Sequence, residues 1–538
     1  MHMNIMSFEV RDRDVLGRIG KLTTKNGTIT TPALMPVVNP VSQSIPPMRM
    51  KKEFGCEILI TNSYIIMKNF GNNPDINVHD LIDFDGVITT DSGAYQILVY
   101  GGVDTNPEEI INFQQSIGSD IAVILDIPTG WDVPRSRVEY TVEETLRRAK
   151  ISLPLIEGDD TLWIGPVQGG AHLDLVKKSA KEIGSMPFQI HALGSPTEVM
   201  ESYRFSVLAD MIMAAKTNLP SDRPFHLFGA GHPMMFSFAV ALGCDLFDSA
   251  AYILFANDER YMTLRGTRHL KNLNYLPCSC PVCRKYDASD LKNMLKGERI
   301  RLLAEHNLHV SMAEVQTIRQ AISEGTLWEL MENRSRGHPA LTSALYHLRK
   351  YSDVLEKGSP MYKGRGVFIF DKASLARPEI TRHVKKLEEN TRKYADTLIL
   401  LPEPNRKPFN QSIEFTQLVK SLKEFSIQNI QLCFYVQPFG IVPMELSETY
   451  PLSQYIVANP LDHEILNFTI ENIKKYIIKN NYGKIIMLAS YDATGIRIKE
   501  ELEKWLDLKE NMFEVIQGEK PWSQESIHLL INIINKTG

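Results

Sequence analysis

The chain has 538 residues, a net charge of −5 and an apolar share of 43%. A chain of this length is too long for one compact core, so about two to four domains are expected. The charged share of 23% is typical of a soluble globular protein. No uninterrupted apolar run approaches the length of roughly eighteen residues that a membrane span needs, and no signal peptide is evident. We therefore expect a cytoplasmic protein with no membrane segment.

Eight short apolar runs follow one another in the first 260 residues, with helix-length segments between most of them. They are residues 33–38, 57–61, 86–90, 121–126, 162–167, 188–193, 225–228 and 244–247. Strands that alternate with helices in this way predict an α/β fold with a parallel sheet, here a (β/α)8 TIM-like barrel. A doubly wound open sheet is the alternative, because periodicity does not show whether the sheet closes.

Polar residues follow most of these runs, at the strand end where parallel α/β folds build their sites. Asp91 follows the third run and Asp248 the eighth. Two carboxylates in one pocket can divide glycosidic chemistry, one attacking the anomeric carbon and one moving protons. Asp126 and Gln168 follow two further runs and are suited to reading the edge of a base. Each residue alone is explained by a helix cap or a turn, but their convergence favours an active site.

A cluster of cysteines lies beyond the barrel, within residues 277–283. Cys278, Cys280 and Cys283 present three thiolates around a tight turn, and one imidazole would complete a tetrahedral zinc site. His306 and His309 lie one helical turn apart, and the sequence alone does not decide between them. With four protein ligands the zinc would be structural. A metal site rather than a disulfide framework also indicates a reducing compartment.

The segment that carries the cysteines is locally basic. Residues 259–306 contain ten Lys and Arg against five Asp and Glu, although the whole chain is acidic. An excess of positive charge beside the barrel mouth is where a phosphate backbone would dock. A solvated helix face is the alternative interpretation.

Taken together, these motifs resemble those of the tRNA-guanine transglycosylases. The resemblance rests on residues 91–96 (DSGAYQ), 167–170 (VQGG), 247–248 and the Cys3His set. Residues 228–233 (FGAGHP), 248–252 (DSAAY) and 277–283 (PCSCPVC) are similar to the archaeal branch in particular. The similarity covers residues 8–355. It implies a zinc-containing barrel that exchanges guanine at position 15 of the tRNA D-loop for 7-cyano-7-deazaguanine, the first step of archaeosine formation.

The resemblance also implies a role for each motif residue. Asp248 matches the nucleophile that forms a covalent ribosyl-aspartate, Asp91 matches the general acid/base, and His306 joins Cys278, Cys280 and Cys283 as zinc ligand. The residues expected around the base are Ser92, Tyr95, Asp126, Gln168 and the backbone of Gly194. A homodimer is expected as well. The alternatives are a catalytically silent tRNA-binding paralogue and an archaeosine synthase-like enzyme, but the intact aspartate pair and cysteine set favour base exchange.

One detail of the pocket concerns the incoming base. After Gly194 the chain reads Ser195-Pro196-Thr197, and proline offers no N–H donor. A pocket without that donor suits a compact cyano group better than an aminomethyl group.

The C-terminal third again alternates apolar runs with helical segments. We expect a barrel with its zinc-binding insertion (around 278–306) over residues 1–355. Two small α/β or α+β domains would follow, over residues 356–450 and 451–538. Residues 488–495 read as a strand, a loop and a helix start, in which a helix cap is favoured over a phosphate-binding turn. Archaeal members of the family usually end in a PUA domain, which this chain does not show, so we expect that module as a separate polypeptide.

Overall fold

A computed structural model describes residues 7–71, 75–94, 105–390, 393–425, 427–459, 462–489, 492–506, 512–517 and 520–535. The chain forms two compact units, and the first ends at His347. Across the described residues, every helix is too short or too polar to serve as a transmembrane segment.

The first unit opens with an antiparallel sheet of three strands. They are β1 (Phe8–Asp14), β2 (Gly17–Thr24) and β3 (Gly27–Thr31). Leu22 and Ile29 are fully buried and belong to the same apolar cluster as barrel residues such as Val87. The sheet therefore covers one end of the barrel core. The apolar runs in the sequence do not indicate this sheet.

Eight parallel strands follow and form one sheet. They are β4 (Ala33–Pro36), β5 (Ile58–Asn62), β6 (Val87–Asp91), β7 (Ile121–Val123), β8 (Leu162–Val167), β9 (Ile190–Leu193), β10 (Phe225–Leu227) and β11 (Leu246–Ser249). Their order is β4-β11-β10-β9-β8-β7-β6-β5, and a parallel bridge between Val37 and Ile60 joins the two edges. The sheet is thus a nearly closed barrel. Each strand overlaps one of the eight predicted runs, so the predicted (β/α)8 barrel is confirmed.

Helices surround this barrel. They are α1 (Pro47–Phe54), α2 (Ser63–Phe70), α3 (Val78–Ile82), α4 (Pro107–Ser116), α5 (Arg135–Ile156), α6 (Leu173–Gly184), α7 (Thr197–Glu201), α8 (Phe205–Lys216), α9 (Phe236–Ala241) and α10 (Ala251–Asn257). Helix α6 shows why they form. It buries Leu175, Val176, Ala180 and Ile183, which recur at helical spacing, while its lysines stay on the opposite face.

The part of the first unit beyond the barrel carries the cysteines. It begins with a hairpin, β12 (Arg260–Thr263) and β13 (Gly266–His269), paired antiparallel. Helices then follow: α11 (Pro281–Lys285), α12 (Ala288–Asn293), α13 (Lys296–Glu324), α14 (Leu327–Ser335) and α15 (Pro339–His347). Single 3-10 turns lie at Pro233–Met235 and Leu270–Asn272.

The second unit, from Leu348 onward, is an α/β domain. Its strands are β14 (Val367–Ile369), β15 (Thr397–Pro402), β16 (Ile430–Val436), β17 (Gly440–Pro443), β18 (Tyr455–Val457), β19 (Lys484–Ala489) and β20 (Phe513–Gln517). Five of them form a sheet in the order β17-β16-β15-β19-β20, parallel except for β17, while β14 and β18 pair separately. An apolar cluster lies on each face of the five-stranded sheet.

Helices of the second unit cover both faces. They are α16 (Ser352–Gly358), α17 (Pro378–Asn390), α18 (Ile413–Glu424), α19 (His463–Asn480), α20 (Ala493–Leu506) and α21 (Gln524–Asn535), with 3-10 turns at Leu348–Tyr351, Lys372–Ala376, Phe409–Gln411 and Met444–Leu446. The sequence suggested two domains meeting near residue 450. The structure instead has one compact unit there, because the central strand β15 pairs with β16 on one side and with β19 on the other.

Asp492, directly before α20, caps that helix, as the sequence favoured. The Asp492 side chain accepts hydrogen bonds from the backbone N–H groups of Thr494 and Gly495. These donors are therefore used within the cap and are not offered to a phosphate.

Candidate active site

Asp91 lies at the end of β6, directly opposite Asn62 on β5. Asn62 caps helix α2, where its side-chain oxygen accepts from the Ile65 N–H, and this fixes the orientation of its amide. The amide nitrogen then donates to Asp91 Oδ2 at 3.0 Å, and Ser63 Oγ donates to the Asp91 carbonyl at 2.7 Å. The end of β5 thus holds both the side chain and the backbone of Asp91.

The Asp91 carboxyl titrates near neutral pH. Its burial, together with the nearby charges of Asp126 and Asp248, raises its pKa to about 7. A group with this pKa can both give and take a proton at physiological pH, as a general acid/base must.

Asp248 lies on β11, and one of its two carboxylate oxygens is held in place. Oδ1 is 2.8 Å from His226 Nε2 on β10 and accepts from the Gly229 N–H at 2.9 Å. The His226 side chain is fully buried, and its Nδ1 has no hydrogen-bond partner among the described residues. Oδ2 makes no hydrogen bond within the same part of the chain. The carboxylate is therefore anchored through one oxygen while the other is available.

Asp126 and Gln168 form a hydrogen-bonded pair on the loops after β7 and β8. Gln168 Nε2 donates to Asp126 Oδ2 at 2.6 Å, and Gln168 Oε1 accepts from the Thr129 N–H and from Ser195 Oγ. The orientation of the amide is thereby fixed. Burial raises the pKa of Asp126 to about 6, although the bond from Gln168 opposes the shift. The pair presents donors and acceptors in a fixed array, as recognition of a planar heterocycle requires.

The other predicted base contacts differ in position. Ser92 is fully buried, and its hydroxyl donates to the Ile124 carbonyl at 3.3 Å. The Gly194 N–H donates to the Val167 carbonyl, and a Cβ on Gly194 would lie 2.2 Å from Gln168 Nε2. Glycine is thus required beside the Gln168 amide. Neither Ser92 nor Gly194 lines the cavity. Tyr95 lies outside the described residues.

A cavity of about 1040 Å³ joins these elements. Asp91, Asp126, Gln168 and Asp248 all line it, so four residues predicted from separate strand ends meet in one pocket. Its volume lies at the upper end of the range for ligand pockets, which leaves room for a nucleoside.

Two functional contacts were missed by sequence reasoning. These are His226 beside Asp248 and Asn62 beside Asp91. The signal for His226 was a polar residue inside a short apolar strand, and the signal for Asn62 was an amide between a strand and a helix.

The cysteine cluster is assembled as the spacing predicted. The ligand atoms of Cys278, Cys280, Cys283 and His306 lie within 4.8 Å of one another. Two of the sulfurs, those of Cys280 and Cys283, are each 3.4 Å from His306 Nδ1. Ligands of a tetrahedral ion with bonds of about 2.0–2.3 Å lie roughly 3.5 Å apart, so the set fits a metal ion.

The structure also decides between the two histidines. His306 Nε2 lies 2.9 Å from the Met262 carbonyl, and this hydrogen bond leaves Nδ1 facing the sulfurs. His309 instead packs against Phe54, with ring centroids 4.2 Å apart and the rings tilted by 30°. His306 is therefore the fourth member of the cluster.

Known proteins match this chain over most of its length. The family model for queuine tRNA-ribosyltransferase matches residues 13–340, and a domain of unknown function matches residues 380–534. The tRNA-guanine(15) transglycosylase of Methanocaldococcus jannaschii is 41% identical over 524 residues, which cover 93% of this chain and 78% of the relative. The enzyme of the same name from Methanosarcina barkeri is 44% identical, covering 92% and 96%. That from Sulfolobus acidocaldarius is 38% identical, covering 91% and 95%. The chain therefore belongs to the archaeal branch of the tRNA-guanine transglycosylase family, and it is a pentosyltransferase.

Proposed function

We propose that the protein exchanges guanine at position 15 of the tRNA D-loop for 7-cyano-7-deazaguanine, through a covalent ribosyl-aspartate intermediate. The relatives named as tRNA-guanine(15) transglycosylases support the reaction and the position. The observation that carries the mechanism is the placement of an Asp248 oxygen without a hydrogen bond in the same cavity as Asp91, whose pKa is about 7. The reaction would be the first step of archaeosine formation.

In the first half-reaction Asp248 Oδ2 attacks C1′ of the flipped nucleotide. The C1′–N9 bond breaks, and its electron pair leaves with guanine. Asp91, protonated at the start, gives its proton to the departing base. The products are neutral guanine, the Asp91 carboxylate and a ribosyl ester on Asp248.

In the second half-reaction the incoming base occupies the position that guanine left. Asp91 takes the proton from N9 of this base, and N9 attacks C1′ from the vacated face. The ester bond to Asp248 breaks and the carboxylate returns, stabilised by the hydrogen bond to His226. Two inversions retain the β configuration, and Asp91 ends protonated as it began.

Base recognition would fall to Asp126 and Gln168, whose fixed edge matches the polar edge of a guanine-like ring. Ser92 and the Gly194 backbone do not line the cavity, so they would support the pocket from outside it, Gly194 by leaving room for the Gln168 amide. Tyr95 would stack on the base. The absence of an N–H on Pro196 favours a cyano substituent. Equal turnover of 7-cyano-7-deazaguanine and its aminomethyl analogue would contradict this part of the proposal.

Zinc is the metal that best suits three thiolates and an imidazole in tetrahedral array. A zinc ion held by Cys278, Cys280, Cys283 and His306 would have no open position for water, so its contribution would be structural. We also propose that the protein is cytoplasmic, that it forms a homodimer, and that a separate protein supplies the PUA domain. Gel filtration and co-purification would test the last two.

The decisive experiment follows labelled guanine into a tRNA transcript. We expect incorporation at position 15, displacement of the label by 7-cyano-7-deazaguanine, and loss of both in Asp248→Ala. A transcript with adenine at position 15 serves as the control. A covalent complex on a denaturing gel, present in the wild type and absent in Asp248→Ala, would support the intermediate.

Three results would overturn the proposal. Exchange that persists in Asp248→Ala would exclude this nucleophile. A folded, metal-loaded protein that binds tRNA without exchange, even with a PUA-domain protein added, would be a silent paralogue. Modification only of a base already inserted would indicate an archaeosine synthase-like enzyme.

A further inference from the structure

The cavity continues past Asp248 towards the β12–β13 hairpin. Its far end is lined by His232, Phe255, Arg260, Gly266 and Thr267. Carboxylates line the base pocket, whereas this end of the cavity carries a cation. The proposed exchange reaction does not use this cation.

Arg260 is a cation with unused donors. Its guanidinium carbon lies 5.1 Å from the centre of the Phe255 ring, which holds the group in place. Its Nε is buried and has no hydrogen-bond partner among the described residues. The carboxylate paired with it, Asp258, is 4.0 Å away and largely exposed, too far for a hydrogen bond.

Two other arginines of the same basic segment are held in closer ion pairs. Arg299 forms an ion pair with Glu259, and Arg301 pairs with Glu305 at 2.6 Å. Their charges are neutralised within the protein. Arg260 lines the cavity, and no carboxylate among the described residues holds it as closely.

We propose that Arg260 binds a phosphodiester group adjacent to the target nucleotide. This inference rests on the proposed function, since the substrate must be a polynucleotide. When the ribose of the target nucleotide lies beside Asp248, the nearest anionic groups of the RNA are the phosphates on either side of that ribose. The guanidinium fork matches a phosphate in geometry and charge, and the pairing would satisfy the buried Nε. The phosphate would hold the nucleotide while one base leaves and the other enters.

The test compares Arg260→Gln with Arg268→Gln. Arg268 is an exposed arginine on β13 of the same hairpin and does not line the cavity, so it is the matched control. For Arg260→Gln we expect kcat/KM for tRNA to fall about tenfold, as for a lost charged hydrogen bond. The KM for free guanine should be unchanged. The plot of log Kd for tRNA against log salt should become shallower by about 0.7–0.9, the value of one phosphate contact.

A chemical change in the RNA makes the test specific. A methylphosphonate at the linkage 5′ or 3′ of the target nucleotide removes one negative charge. At one of these two linkages, the methylphosphonate should lower kcat/KM of the wild type by the same factor as the Arg260→Gln substitution does with unmodified tRNA. It should cause no further decrease in kcat/KM of Arg260→Gln. Arg260→Lys keeps the positive charge but lacks the planar pair of donors. Its kcat/KM for tRNA should lie between those of the wild type and Arg260→Gln.

Several outcomes would overturn the assignment. One is a tRNA affinity in Arg260→Gln equal to that of the wild type. Another is a decrease in kcat/KM from the methylphosphonate that adds fully to that from Arg260→Gln at both linkages. The third is a decrease in Arg268→Gln as large as that in Arg260→Gln. Thermal unfolding and metal content exclude misfolding as the cause. Since Kd for tRNA is measured without turnover, failure of this inference is distinct from failure of exchange by the wild type.

Discussion

Replacing His226 with phenylalanine tests how the Asp248 carboxylate is held. Phenylalanine keeps a ring against Phe228, whose centroid is 4.7 Å away, but removes the donor that lies 2.8 Å from Asp248 Oδ1. A hydrogen bond to a charged group is worth about 1.5–3 kcal/mol. The Gly229 N–H still binds the same oxygen, and the Asp248 side chain is 16% exposed, so the lower figure applies. We expect kcat to fall about tenfold, with little change in the KM for tRNA.

The covalent complex gives a readout that a merely structural role would not change. The His226 hydrogen bond stabilises the carboxylate that leaves in the second half-reaction. Its loss should slow that step more than the first, so the ribosyl–Asp248 complex should accumulate in His226→Phe. His226→Gln, whose amide can donate from a similar position, should recover much of the rate.

His191 supplies the control for this experiment. It is a buried histidine on the neighbouring strand β9, and its Nε2 has no partner among the described residues. His191→Phe should affect thermal stability but not the proportion of covalent complex. A wild-type rate in His226→Phe, equal rates for the Phe and Gln variants of His226, or the same accumulation in His191→Phe would refute the reasoning.

The pH dependence of the reaction and substitutions of two acids and one metal ligand give four more expected outcomes. Because the pKa of Asp91 is raised to about 7, formation of the covalent complex should fall as pH rises through about 7, and incorporation of the new base should fall below it. The same raised pKa means that folding stability is lost as Asp91 ionises with rising pH, so Asp91→Asn should raise the unfolding temperature more at about pH 8 than at about pH 5. A pH-independent covalent step, or an equal thermal shift at both pH values, would contradict these two statements. Asp126→Asn should raise the KM for free guanine at least about tenfold while leaving the Kd for tRNA unchanged, and a changed Kd alone would exclude its role in base binding. Cys280→Ser should lower the zinc content measured by atomic emission and the unfolding temperature, and full zinc content would remove Cys280 from the ligand set.

The barrel could be predicted because its strands are buried on both faces. Such strands appear in the sequence as short apolar runs. All eight strands overlap such a run here, and polar residues follow most of the runs. The N-terminal sheet could not be found in this way. Strand β1 reads FEVRDRD, with mostly exposed charged residues, and its pairing with β2 supplies the stability that its composition does not indicate.

The site could be predicted in part for a similar reason. Strand ends of a parallel barrel converge, so position alone brought Asp91 and Asp248 together. The contacts of His226 and Asn62 depend on how neighbouring strands are aligned, which is not a local property of the sequence. The choice of His306 over His309 depends on a carbonyl of β12, distant along the chain.

The β12 strand connects two features that lie on opposite sides of it. Tyr261 stacks on His306 at 3.7 Å, and its hydroxyl is 3.3 Å from Cys283 Sγ, while the next residue, Met262, receives the His306 hydrogen bond. Arg260 precedes them and lines the cavity. If Arg260 binds phosphate as proposed, a protein without a metal ion in the Cys3His cluster should lose affinity for tRNA before it loses affinity for a free base. Asp91, Asp126 and Asp248 stand on barrel strands and loops, and within the described residues none of them contacts the cysteine cluster. The metal would act as a determinant of polynucleotide recognition, placed at a distance from the bond that is exchanged.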